Sequence, residues 1–386
     1  MPTPPRKPCV LLVYGQYSSS FTAYPWMLAK DGRLTVDVLT RPDHTVRHSV
    51  WIRKVHYFES ITDVVASLKA CLSEESYEMV LYMDEPARAQ LLTHRNDPIL
   101  EPHLPFPANS ALNQAVDDKQ LFYRWCAQHE IPIPRSIEVK QPDDIRPAVE
   151  KIGYPCMLKA AVGSGGKGIH LFLNAEELED YLREAHTDTG PWVAQEYIDG
   201  PVGSVSMACK KGKVYGMCSS AKHVSLSGGL GPSAIRRLIH DPALDAIARR
   251  VAEAGHITGI TGFDWMQVGP GQYRVIDPHL GRCTTSCVVA SQDGVEMGRA
   301  IHSALTGGVP EPVSRGSGRI IWMMPQTIEL IFQGRFFLAW SKASLFRKNT
   351  SIFWCGQGEW RMLLRLMGAY LVAQMRILGG RLRGRH

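Results

Sequence analysis

No two of the nine cysteines stand in a C-x-x-C pair, and the histidines form no cluster at metal-ligand spacing. That excludes a zinc-ribbon type of site, and an odd, scattered set of thiols excludes a disulfide framework, so the chain reads as reduced and cytoplasmic. The motif G-x-x-x-x-G-K-[ST] is missing, which excludes a Walker loop. The opening MPTPPRKPCVLLVYG holds an apolar run of about six residues, too short for the core of a secretory signal. The most hydrophobic stretches, Arg319–Trp340 and Trp360–Leu378, carry Glu329 and Arg335, and Arg365 and Arg376, inside them. Neither predicts a membrane span, which takes about 20 predominantly apolar residues.

Acidic residues are scarce in one region. From Val313 to His386 there are 12 Lys and Arg but only Glu329 and Glu359, a net of +10 within an overall +6, leaving −4 for residues 1–312. The same tail is rich in Trp, Phe, Leu and Met, a combination attracted to anionic surfaces by charge and to lipid or protein by burial. Two readings stand: segment 360–386 lies as an amphipathic helix against a membrane surface, making the protein peripheral, or it packs on protein, a homodimer partner included. Nucleic acid is not expected as a partner, since no recognised nucleic-acid module accompanies the charge.

Short apolar runs at Val10–Tyr14, Val36–Leu39 and Met79–Met83 alternate with the helical pattern Ile61–Leu72, which predicts a small parallel sheet. Three prolines between Pro102 and Pro107 mark a boundary. The expected units are an α/β domain over 1–106, two α+β units over 107–190 and 191–312, and a helical basic tail over 313–386.

The segment PCMLKAAVGSGGKGI (Pro155–Ile169) delivers Lys159 from an apolar strand into a loop containing Gly163, Ser164, Gly165, Gly166, Lys167 and Gly168. Glycines let backbone amides approach phosphate oxygens closely, and a lysine at the strand end adds a fixed charge. Such a loop by itself is equally well a flexible hairpin. Asp264 in GFDWM and Asp277 in VIDPH fall on two strands that can pair through Gly269–Gly271, a placement suited to a hard cation that bridges phosphates.

In order and spacing, DDKQLFYRWCAQHEIPIPRS, YPCMLKAAVGSGGKGI, WVAQEYIDG, GGLGPSAIRRLIHDPAL, GITGFDWM and YRVIDPHLGR resemble the ATP-grasp superfamily, particularly its carbamoyl-phosphate-synthetase-like and D-alanine-ligase-like branches. The resemblance covers roughly Pro107 to Thr306. It implies an ATP-grasp fold, α/β and α+β, behind an N-terminal Rossmann-like domain, here with a helical basic appendage. It implies ATP and Mg2+ as cofactors, with Lys119, Lys159 and the flap Gly163–Gly168 at the phosphates and Gln195, Glu196, Tyr197 and Ile198 at the adenine. Asp264 and Asp277 become the metal ligands. Arg236 or Arg237, at the end of a glycine-rich loop, would approach the transferred phosphate, with His279 and Arg282 nearby.

The implied activity is ADP-forming ligation of a small-molecule carboxylate, or similar oxyanion, to an amine. The alternatives are a small-molecule kinase and a noncatalytic, membrane-tethered nucleotide-binding protein. The chain departs from the family pattern where E-x-N-P-R becomes Val275-Ile276-Asp277-Pro278-His279, and where Val202 and Ser206 stand at positions in which carboxylates are common.

Overall fold

The computed structural model describes residues 6–16, 19–163, 168–184, 190–227, 230–353, 356–368 and 372. Strands β1 (Cys9–Val13), β2 (Thr35–Thr40), β3 (Val55–Tyr57) and β4 (Met79–Tyr82) form a parallel sheet in the order β3-β2-β1-β4. β1 is buried along its whole length, as a strand covered on both faces must be, which is why it reads as a continuous apolar run. The helix Val64–Glu74 follows a capping box at Ser60 and Asp63, close to its expected place. β3, only three residues long and half-buried, carries too little apolar pattern to be seen in the sequence.

A second sheet, β5 (Ser136–Val139), β6 (Cys156–Ala160), β7 (Ile169–Phe172) and β8 (Trp192–Glu196), is antiparallel in the order β5-β8-β6-β7. The helices Ile145–Ile152 and Ala175–Arg183 cover one face, burying Val149, Ile152, Leu178 and Tyr181 against Leu158 and Ala194. β8 therefore belongs with β5–β7, although the expected boundary at 190/191 cuts it off from them. It is drawn in because both its edges find hydrogen-bond partners there.

The third sheet has seven strands, β9 (Val202–Lys210), β10 (Lys213–Ser227), β11 (Leu230–Ile239), β12 (Gly259–Gly269), β13 (Gln272–Pro278), β14 (Ile320–Met323) and β15 (Thr350–Phe353), in the order β13-β12-β9-β10-β11-β14-β15. Two expectations change here. The segment GGLGPSAIRR, expected as a glycine-rich loop, is strand from Leu230 to its end, paired along β10, and Gly228 and Gly229 lie outside the described residues. The basic tail contributes the helices Met324–Phe332 and Phe336–Lys342, but also two strands. β14 pairs with β11 and β15 runs parallel to β14, covering a sheet edge that would otherwise stay open. A four-residue apolar run such as IIWM does not distinguish strand from helix by periodicity. No helix among the described residues is long and apolar enough to cross a membrane.

Candidate active site

Strand alternation puts Leu158 in the core and Lys159 on the opposite face of β6. Lys159 is 8% exposed, and its Nζ donates to Gln195 Oε1 at 2.6 Å. Gln195, also buried, donates through Nε2 to Ser136 Oγ at 2.9 Å. Burial pulls the Lys159 ammonium down to about 8; Asp277 opposes this and Lys119 adds to it. A buried ammonium whose protein partner is a neutral amide keeps donors for an anion.

Lys119 opens the helix Lys119–Gln128, capped by Asp118. Its amide donates to Ala161 O at 2.8 Å and its Nζ to Gly163 O at 2.8 Å, so it braces the start of the flap. Gly163 and Gly168 both have φ in the range natural to glycine, 142° and 67°. Ala160 N donates to Gly168 O at 2.8 Å, closing the base of the loop. Ser164, Gly165, Gly166 and Lys167 lie outside the described residues.

Past β8, the amides of Glu196 and Tyr197 donate to Arg135 O and Pro155 O, and Glu196 Oε1 accepts from Arg135 N at 2.9 Å. Glu196 is thus folded back on the chain. Ile198 carries the next amide after these two.

On the large sheet, β13, β12, β9 and β10 set Asp277, Asp264, Ser204 and Ser220 in one cross-strand row, each in register with the next. Directly opposed residues share a face. On the neighbouring pair, Lys222 of β10 stands opposite Arg236 of β11. Asp264 Oδ2 accepts from Lys222 Nζ at 2.8 Å and Oδ1 from His279 Nε2 at 3.2 Å. Burial pushes the Asp264 carboxyl up, but His279 and Lys222 outweigh it and hold the group well below the usual carboxylate range.

Arg282 Nη2 donates to His279 Nδ1 at 2.7 Å and to Glu85 Oε1 at 2.8 Å. A guanidinium only donates, so Nδ1 accepts and the ring proton sits on Nε2, facing Asp264. The result is a chain from Glu85 through Arg282 and His279 to Asp264 and Lys222. His279 and Arg282, both expected beside the phosphates, hydrogen-bond in this chain toward Asp264.

Arg236 is 5% exposed and donates through Nη1 to Ser204 Oγ at 2.8 Å and Ser220 Oγ at 3.1 Å. Ser204 bonds to Ser286, Ser286 to Ser206, and Ser206 to Thr284. No carboxylate lies within ion-pair distance of Arg236 among the described residues; burial pulls its guanidinium down, with Asp264 opposing. Arg237 is exposed, because successive residues of a strand face opposite sides. Of the two arginines expected as alternatives, Arg236 is the one on the face of Asp264. Lys222, Ser204, Ser220 and Glu85 were not singled out from the sequence. The alternating serines of VGSVSMA and the lysine inside the apolar β10 were the signals available.

The donor set fits a nucleotide's phosphates: two lysines at the root of a glycine-rich segment, one of them buried with no ion pair among the described residues. A magnesium ion would have Asp277 and Asp264 as its oxygen donors. Among the described residues no cluster of three His, Cys, Asp or Glu side chains assembles around a common point, so phosphate oxygens and water would complete its shell.

Residues 116–278 match the model of an ATP-grasp domain. The formate-dependent phosphoribosylglycinamide formyltransferase of Wolinella succinogenes is 24% identical over 232 residues, covering 58% of this chain and 57% of that protein. The carbamoyl phosphate synthase large chain of Agathobacter rectalis is 21% identical over 301 residues, covering 72% of this chain and 27% of that one. The chain thus spans little more than half, or about a quarter, of these relatives. Among solved structures, N5-carboxyaminoimidazole synthetase from Staphylococcus aureus, complexed with ADP, superposes with a TM-score of 0.65 at 15% identity, covering 89% of this chain and 90% of that one. The L-amino acid ligase from Bacillus licheniformis superposes with a TM-score of 0.57 at 16% identity, covering 78% and 74%. These likenesses establish the ATP-grasp fold.

Proposed function

We propose that this ATP-grasp protein is an ADP-forming ligase that activates a small-molecule carboxylate, or a similar oxyanion, as a phosphate and couples it to an amine. The observation that carries the reading is Lys159, buried at the root of the flap with Gln195 as its one side-chain hydrogen-bond partner among the described residues. ATP, when bound, supplies the phosphoryl group, and magnesium neutralises the charge on it. Lys159 and Lys119 hold phosphate oxygens beneath the flap 163–168, and residues 195–198 meet the adenine. Asp277 and Asp264 hold the metal. Arg236, on the face of Asp264 and with no carboxylate at ion-pair distance among the described residues, stabilises charge developing on the transferred group and on the oxyanion. His279 and Arg282 act through Asp264, keeping its carboxylate ionised and aimed. The names of the similar proteins, two of them a synthetase and a ligase, support this class of reaction.

One observation favours a noncatalytic nucleotide-binding protein: Lys222 already occupies Asp264 Oδ2. ADP release on addition of a library of carboxylates and amines separates the readings. Substrate-dependent ADP with an amide product supports the ligase, and a phosphorylated end product supports a kinase. Nucleotide binding without any turnover leaves the noncatalytic reading.

The same proposal places the enzyme in the cytoplasm, with its tail against a membrane surface. Segment 360–386 lies mostly outside the described residues; its described start, 360–368, is helical with Trp360 and Leu364 outward and Met362 and Leu366 buried. A homodimer through the tail is the competing arrangement.

A further inference from the structure

The helix pair Met324–Phe332 and Phe336–Lys342 and the turn after it expose large apolar side chains that the cleft does not use. Phe337 is 81% and Phe346 88% exposed, with Ile331 and Phe332 close to half exposed. The two protruding rings are continuous: Phe337 packs on Phe336, Phe336 on Trp340, and Trp340 on Phe346, with centroids 5.4 to 5.8 Å apart. Beneath them Leu330, Ala339, Ala343 and Trp322 form a small buried core. The platform is fastened to β10, since His223 Nε2 lies 3.0 Å from Lys342 O and Arg335 Nη1 donates to Ser225 O. Trp322 Nε1 donates to Ala343 O at 2.9 Å.

Around the protruding rings the charge has one sign. Lys342, Arg347 and Lys348 are exposed, and none takes part in an ion pair among the described residues. The one acid of these helices, Glu329, accepts from Gln333. A second copy of the same patch would set cation against cation, so a symmetric dimer through it is disfavoured by the charge itself. A continuous set of protruding rings on a helix and the turn after it, flanked by lysine and arginine, matches an interface that is apolar below and anionic at its surface.

We infer that the surface formed by Phe332, Phe337, Phe346, Lys342, Arg347 and Lys348 docks on a lipid bilayer bearing anionic headgroups. The inference rests on the membrane reading above but assigns the contact to a different element from segment 360–386. Docking here holds β10, and with it Lys222 of the cleft, at a set distance from the bilayer.

The test is cosedimentation of the full chain with phosphatidylcholine vesicles, with and without phosphatidylglycerol. Binding is expected only with the anionic lipid and should fall with salt. Replacing Lys342, Arg347 and Lys348 by Gln should lower partitioning about a hundredfold, since each basic residue near such a surface contributes about fivefold. Phe337→Ser with Phe346→Ser should lower it about tenfold or more. All five positions are exposed, so nucleotide affinity and melting temperature serve as controls for folding. If these variants bind as the parent does while Trp360→Ser with Leu364→Ser abolishes binding, the assignment to this surface is overturned and the membrane reading survives. If the parent ignores anionic vesicles, both fall. Self-association lost in the Phe variants without any vesicle binding would replace the bilayer by a second copy.

Discussion

Asp264 and Asp277 stand opposite each other across β12 and β13, yet Asp264 is clamped between Lys222 and His279 while no hydrogen bond or ion pair to Asp277 is formed by the described side chains. Two carboxylates of equal rank in the sequence therefore have unequal roles. Asp264 is held by Lys222 and His279, whereas Asp277 has no such partner among the described side chains and its charge favours the Lys159 ammonium.

Asp277→Asn should lower metal-dependent turnover about a hundredfold or more, the size of effect expected on losing one major electrostatic stabiliser. Nucleotide affinity should change far less, because the lysines and the backbone at 195–198 remain. ADP formation measured against magnesium concentration, with nucleotide affinity measured separately, checks this. Normal turnover at low magnesium would remove Asp277 from the metal site.

Lys159→Ala should abolish nucleotide binding with the fold intact. The parent protein should bind ATP most tightly below pH 8 and more weakly as the pH rises through about 8, where the buried ammonium loses its proton. The sign for stability is the reverse. A lysine whose folded value lies below its ordinary 10.5 holds fewer protons when folded than when unfolded, so the nucleotide-free protein gains stability from this group between about pH 8 and 10.5. Calorimetric titrations and melting curves across that window check both slopes, and the Lys159→Ala protein should show neither.

Arg236→Met should reduce kcat/KM about a hundredfold, whereas Arg237→Ala should stay within about threefold, because the two side chains leave opposite faces of β11. Steady-state kinetics on the two variants decide it. Equal losses would mean that both arginines reach the substrate.

Gly203→Ala should destabilise the protein by about 2–3 kcal/mol. A methyl group there would lie 2.3 Å from Ser220 O and 2.1 Å from the Trp265 ring, and a sheet backbone cannot retreat without disturbing Ser204 and Ser220. Urea unfolding gives the value, and turnover should fall with it.

Much of the fold was legible in residues that speak locally. The buried run of β1, the alternation around Lys159, the capped helix at Lys119 and the DWMQVGPGQYRVID hairpin are each written in ten or twenty consecutive residues, where period and turn chemistry decide the outcome. The chemistry of the flap is local as well, since glycine conformational freedom and a strand-borne lysine are properties of one segment. β14 and β15 were not legible, because a short apolar run becomes a strand only when an open edge such as that of β11 is there to receive it.

By itself the sequence determined the ATP-grasp fold, the strand that carries Lys159, the capped helix that opens at Lys119, and the pairing of the two aspartate strands. Tertiary structure alone decided which charges meet. Lys222 lies 42 residues from Asp264 along the chain, and Glu85 lies 197 from Arg282. Their hydrogen bonds depend on register between strands and on the docking of the first domain, neither of which any local pattern encodes. The choice of Arg236 over Arg237 has the same origin: a residue's face follows from strand geometry, and that geometry existed only once β11 was paired on both sides.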